Sequence, residues 1–212
     1  MRYLDFYKLL NSMDNKEYIE NFIVYKTSWV IAGIKPAVTI GFKKKDEKIY
    51  ENWNLYGKDF LIDINLKYIE LRENDDSIIL MIYDEEVLKR ELDKKEQIDF
   101  LINLGYPKQI EVDRYVKTLK ERYEKYHCPH ELGLFLGIPF EDVKDFMECT
   151  TKKCLLCGYW KVYNNSDEAK MIFSQYDEVK YYTMKNMLKG NSSRILVSSI
   201  KDSFYYNNCI CI

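Results

Sequence analysis

Val38, Ile40 and Phe42 alternate with Thr39 and Gly41, and Ile62, Ile64 and Leu66 alternate with Asp63 and Asn65. Both runs have the two-residue period of a half-buried strand. Two further apolar runs, residues 68–72 and 78–83, flank Asn74-Asp75-Asp76-Ser77 and predict a hairpin; 78–82 is apolar on both faces, which predicts a central strand. Before the first strand the period is helical: a short amphipathic piece over 3–10, then a helix over 15–26 with Asp14 and Glu17 as a capping pair.

From Asp84 the helical period returns. Val87, Leu88 and Leu92 form one stripe, Ile98, Leu101, Ile102 and Leu104 a second, and Val112, Tyr115, Val116, Leu119, Tyr123 and Tyr126 a third. Pro129 and Gly137 bracket a short helix over 130–136, and Pro139 suits the first turn of the next, 140–148. Residues 157–163 read as a strand, Ser166 as the cap of a helix to about Tyr176, a further helix reaches Lys189 before Gly190, and 195–200 closes as a strand. No repeat, long linker or low-complexity stretch interrupts the chain. The expected fold is α/β of the mixed α+β kind: a single mixed sheet flanked by helices, with a β-rich N-terminal half and a helical C-terminal half. The expected organisation is one domain over residues 1–180 and a C-terminal extension, 181–212, packed on it.

Composition sharpens this only a little. Of 212 residues 47% are hydrophobic and 15% aromatic, enough for a substantial core. The formal charge of -2 recruits neither nucleic acid nor anionic lipid to the whole molecule. The first residues carry charge too early for a signal peptide, and no apolar run approaches the roughly twenty residues that span a bilayer. A cytoplasmic location is expected, with no membrane partner, and there six cysteines would be thiols, metal ligands or redox groups rather than disulfides.

Both histidines and all the cysteines lie in the last part of the chain, and His127, Cys128, His130, Cys149, Cys154 and Cys157 crowd together. Cys154-Leu155-Leu156-Cys157 supplies one knuckle of a zinc site, with Cys149 and either Cys128 or His130 to complete it; zinc or iron is the implied metal. The ordinary alternative is small buried hydrophobes that carry thiols. A redox dithiol at Cys154 and Cys157 would lack the helix N-terminus that lowers a thiol pKa. His130-Glu131 opens like a zinc-protease motif, but Leu134 stands where the second histidine belongs, so that chemistry is excluded on this motif. Lys35, in a loop before Pro36, could meet an anionic ligand, and Trp160, Lys161 and Tyr163 could stack and hold a planar one. No glycine-rich phosphate loop is present. Residues 132–147 can be drawn as helix-turn-helix, but the second helix bears Glu141, Asp142, Asp145 and Glu148 against Lys144 alone and would repel phosphates, so nucleic acid is disfavoured as a partner.

Three stretches taken together, Ala32-Gly33-Ile34-Lys35-Pro36-Ala37, then His130-Glu131-Leu132-Gly133-Leu134-Phe135-Leu136-Gly137 with Pro139 and Glu141-Asp142-Val143, then Gly158-Tyr159-Trp160-Lys161-Val162-Tyr163, resemble a bacterial family known as domain-of-unknown-function thirty-seven ninety-three, found in anaerobic clostridia and their relatives. The resemblance runs from about Tyr18 to Tyr176. It implies no defined reaction, only an iron or redox setting through an association with flavodoxin and iron-uptake genes, and it makes His130 and Glu131 the first candidates for proton transfer or ligand contact. The expected function is a small-ligand or metal-binding accessory protein in iron or redox physiology, with a pocket between the His130 helix, the Lys35 loop and the 158–163 strand. Its alternatives are a thiol- or His/Glu-dependent enzyme on a small molecule and a DNA-binding regulator.

Overall fold

The computed structural model describes residues 3–148 and 151–205. Helices α1 (Tyr3–Ser12) and α2 (Asn15–Ile31) lead into strand β1 (Ala37–Lys43). The expected cap of α2 is formed: Asp14 Oδ1 accepts the Glu17 backbone N–H at 2.8 Å. A continuous helical segment follows, α3 (Glu47–Asn52), a π-helical turn (Trp53–Gly57) and α4 (Lys58–Asp63), and then the hairpin of β2 (Lys67–Glu73) and β3 (Ser77–Tyr83). Asn74 Oδ1 accepts from the backbone of Asp76 and Ser77 at 3.0 and 2.8 Å, which fixes that reversal.

The three strands pair antiparallel in the order β1-β3-β2, with β3 in the centre as its two-faced apolar run predicts. Its period of two divides the molecule. Ile78, Leu80 and Ile82 join Val38, Ile40 and Phe42 in a core shared with α2, while Met81 and Tyr83 face a second core with Leu71. Helices α5 (Glu85–Leu92), α6 (Lys95–Asn103), α7 (Val112–Tyr126), α8 (Leu132–Phe135) and α9 (Phe140–Glu148) build that second core. A two-stranded hairpin, β4 (Leu156–Cys157) and β5 (Lys161–Val162), then precedes α10 (Ser166–Leu188) and α11 (Ser193–Ile200).

Several expectations are corrected. The sheet is not single and mixed: among the described residues there are two sheets, both antiparallel. Helices occur throughout the N-terminal half as well as the C-terminal one, so the division into a β-rich and a helical half does not hold as drawn. Ile62, Ile64 and Leu66 do not form a strand: Ile62 ends α4 facing solvent, 72% exposed, and the chain turns back at Asn65, with φ +61°, to bury Ile64 and Leu66. The segment 195–200 is helical, because Leu196, Val197 and Ile200 are buried at helical spacing while Ile195 is exposed. The 157–163 strand is instead a tight hairpin, and Ser166–Leu188 is one helix, capped by Asn165 rather than Ser166. Helix α10 runs through residue 180, and beyond it Met184, Met187, Leu196, Val197 and Ile200 pack into the α2 core. No helix among the described residues is long and apolar enough to cross a membrane.

Candidate functional site

Pro129 is buried at the turn that opens α8, and His130 projects to solvent one residue later. Helix α8 lies close on α9: a Cβ on Gly133 would come within 2.8 Å of Val143 Cγ2. Asp142, in the first turn of α9, is 3% exposed, and its carboxylate ties the hairpin to the helix. Oδ2 accepts the Trp160 indole N–H at 2.7 Å, and Oδ1 accepts the backbone N–H of Tyr163 and Asn164 at 2.8 and 3.1 Å and the Asn164 side-chain amide at 3.0 Å. A buried carboxylate needs this much donation to be held without a cation.

The joint leaves a recess of about 380 Å³ between α8, α9 and the hairpin. Leu132, Leu136, Ile138, Val143, Phe146 and Trp160 give it an apolar lining, and Cys128, His130 and Lys161 bring polar groups to it. The His130 ring meets Phe146 edge to face with centroids 4.8 Å apart, and Lys161 Nζ stands 5.7 Å from the same ring centroid. Imidazole and ammonium therefore flank one exposed aromatic face.

The predicted residues do not all meet in one place. His130, Trp160, Lys161 and Cys128 share the recess. Glu131 does not join them: it is 1% exposed and forms a buried ion pair with Arg122 Nε, with the Tyr106 hydroxyl donating to it at 3.3 Å. Burial, then the Glu131 charge, holds the Tyr106 phenol well above its ordinary value, so that hydroxyl stays a donor. Arg122 Nη1 also donates to Leu104 O at 2.8 Å, which binds the α8 turn to the end of α6 and to α7. Tyr163 contributes its backbone N–H to Asp142. Lys35 lies outside the recess, over the rings of Trp29 and Tyr176 at 5.3 and 5.5 Å. Burial lowers its pKa to about 8. The loop it occupies still reaches the site's frame, because Gly137, at φ +72°, presses on Pro36: a Cβ there would lie 2.6 Å from Pro36 Cδ.

Of the thiols, Cys128 and Cys157 are exposed and Cys154 is partly buried, its Sγ donating to Leu156 O at 3.1 Å. Cys149 lies outside the described residues. Among the described residues no group of three or more His, Cys, Asp or Glu side chains is arranged to hold a metal ion.

Sequence reasoning passed over Asp142, Arg122 and Phe146. Asp142 reads as one of several acids suited to a helix N-terminus. Arg122 sits on the flank of the apolar stripe of α7, three residues after Leu119, and its spacing alone does not distinguish a buried ion-pair partner from a cation that snorkels to solvent. Phe146 carried a signal in sequence, an aromatic on a short acidic helix, and the structure leaves it 44% exposed.

A family model described as Protein of unknown function (DUF3793) matches residues 23–197. The match continues past Tyr176, where the resemblance was expected to end. No curated protein and no solved structure matches the chain.

Proposed function

The chain belongs to the DUF3793 family, and we propose that it binds a small, largely apolar molecule carrying an acidic group in the recess between α8, α9 and the β4-β5 hairpin. The observation that carries this reading is the convergence of His130, Trp160 and Lys161 on one concavity. Its volume of about 380 Å³ falls in the range of small-molecule sites, and its character, apolar walls with a few polar groups, is the usual one. The sign of the ligand follows from charge. The one carboxylate in the lining, Asp142, spends its oxygens on Trp160, Tyr163 and Asn164, whereas the Lys161 ammonium is exposed. An apolar body would lie on Phe146 and Trp160 with its acid toward Lys161 and His130.

8-Anilinonaphthalene-1-sulfonate, a planar apolar anion, is a suitable probe. Saturable one-to-one fluorescence enhancement, weakened about tenfold by Lys161→Glu and abolished by Cys128→Phe at the rim, supports the reading. Enhancement that ignores both substitutions contradicts it.

Cys128 and His130 line the same recess, which favours as a second reading a thiol- or imidazole-dependent reaction on the bound molecule. Alkylation of Cys128 by iodoacetamide faster than free cysteine supports it, and an equal or slower rate removes it. A metal form of the proposal, in the iron or redox setting that the resemblance implies, would draw on Cys149, Cys154 and Cys157 with Cys128 or His130. Untagged protein carrying about one equivalent of zinc or iron supports that form, and less than about a tenth of an equivalent removes it.

A further inference from the structure

We propose that Lys35 and Lys180, gathered on the Trp29 ring beside Lys26, form a second binding site, separate from the recess, for a small oxyanion such as a phosphate or carboxylate group. Lys180 Nζ stands 4.0 Å from the Trp29 centroid and 4.4 Å from that of Tyr25, and it donates to Tyr25 O. Lys35 Nζ approaches Trp29 and Tyr176. The Trp29 indole is itself fixed, its N–H donating to Tyr176 O at 2.9 Å. Lys26, over Phe22 at 5.5 Å, adds a third positive charge from the same helix as Trp29.

What this cluster lacks is an anion. Among the described residues no carboxylate forms an ion pair with Lys26, Lys35 or Lys180. Two acids near its walls have other partners: Glu91 on α5, whose charge reaches Tyr176, pairs with Lys94 at 2.6 Å and accepts from Gln97 at 3.1 Å. Asp177 on α10 accepts the Tyr159 hydroxyl at 2.6 Å. The Tyr176 phenol is held protonated by burial and adds no charge. Aromatic faces attract cations but do not neutralise them.

Burial lowers the Lys35 pKa to about 8, and burial together with Lys26 and Lys35 lowers that of Lys180 well below the lysine range. Two desolvated, mutually repelling ammonium groups relieve that cost in one of two ways, by losing a proton or by taking an anion. Lys35 has its N–H donors free among the described residues, and Lys180 commits one to Tyr25. A lysine is a point-charge partner for phosphate or carboxylate oxygen, and a pair of them fixes two of its oxygens. Because the bound anion restores the charged form, binding takes up protons, and affinity rises as pH falls through the Lys35 value.

Calorimetric titration of the full chain with inorganic phosphate, and separately with acetate, in two buffers of different ionisation enthalpy at about pH 8 tests this. The expected result is saturable one-to-one binding of at least one anion with net proton uptake, weakened about tenfold or more by Lys35→Met and by Lys180→Met. Tighter phosphate assigns a phosphate group, and tighter acetate a carboxylate. Lys35→Arg, which keeps a permanent charge, retains binding and loses only the Lys35 share of the proton uptake, leaving that of Lys180. Cys128→Phe, which fills the recess, leaves both unchanged, so failure here and failure of the recess reading are distinguishable. Neither anion producing saturable heat, or affinity unaltered in folded Lys35→Met and Lys180→Met proteins, overturns the proposal.

Discussion

Trp160 donates its indole N–H to Asp142 Oδ2 at 2.7 Å, across the joint between the β4-β5 hairpin and α9. Two segments eighteen residues apart are thereby locked at the point where each contributes a wall of the recess. The hairpin has only two residues in each strand, too few to hold its position by ladder bonds alone.

Asp142→Asn preserves shape but turns one acceptor into a donor facing the indole or the Tyr163 and Asn164 amides. It should cost about 2–3 kcal/mol in urea unfolding, because buried donors lose a charged partner. It should also weaken binding of the naphthalene probe, since Trp160 loses its anchor. Unchanged stability would mean that the carboxylate is not the organiser of this joint.

Glu131 acts as a positioning residue in this account. Glu131→Gln should destabilise by about 3 kcal/mol, because Arg122 is left partly buried without its counter-charge. The double variant Arg122→Met with Glu131→Leu should cost less than Glu131→Gln, as expected when a buried pair is replaced by apolar groups. Denaturant midpoints for the single and double variants measure this. Catalytic dependence on Glu131 would instead abolish a reaction without moving the midpoint.

Gly137→Ala places a Cβ 2.6 Å from Pro36 Cδ at a backbone φ of +72°. The left-handed conformation alone costs roughly 1 kcal/mol for alanine, and the contact raises the total to about 2–3 kcal/mol. Thermal melting checks the loss, which would be nearly absent if the Pro36 loop packed independently of α8.

The pH dependence of stability carries the signature of the lysine cluster. Between about 8 and the ordinary lysine value of 10.5, the unfolded chain keeps a proton that folded Lys35 has released. The unfolded state then binds more protons, so stability rises with pH across that window; Lys180 acts in the same direction. Above about pH 10 the raised tyrosines, Tyr83 at about 12 among them, reverse the trend, because the unfolded phenols ionise first. Urea unfolding at a series of pH values should show the rise in the parent protein and a smaller one in Lys35→Met.

Much of the fold was legible where local chemistry and tertiary packing agree. The Asp14 cap, the Asn74 reversal and the central place of β3 all follow from short-range pattern. Ile62, Ile64 and Leu66 mislead because alternation imitates a strand, whereas Ile62 lies in the last turn of a helix and the other two flank the Asn65 turn. Ile195 to Ile200 misled through β-branched composition, although its buried positions keep helical spacing. At the site, His130 and Trp160 were legible as a pair of motifs, but what joins them was not. The partnerships of Asp142 with Trp160 and of Arg122 with Glu131 span 18 and 9 residues, and periodicity carries no signal for them.

A ligand received by the recess beside Trp160 would be read directly by the Trp160 indole N–H resonance. Titration of the full chain with 8-anilinonaphthalene-1-sulfonate should shift that signal to saturation while the core indole of Trp53 stays in place, and Cys128→Phe should remove the shift. A Trp160 signal that does not move while the dye binds would contradict the account.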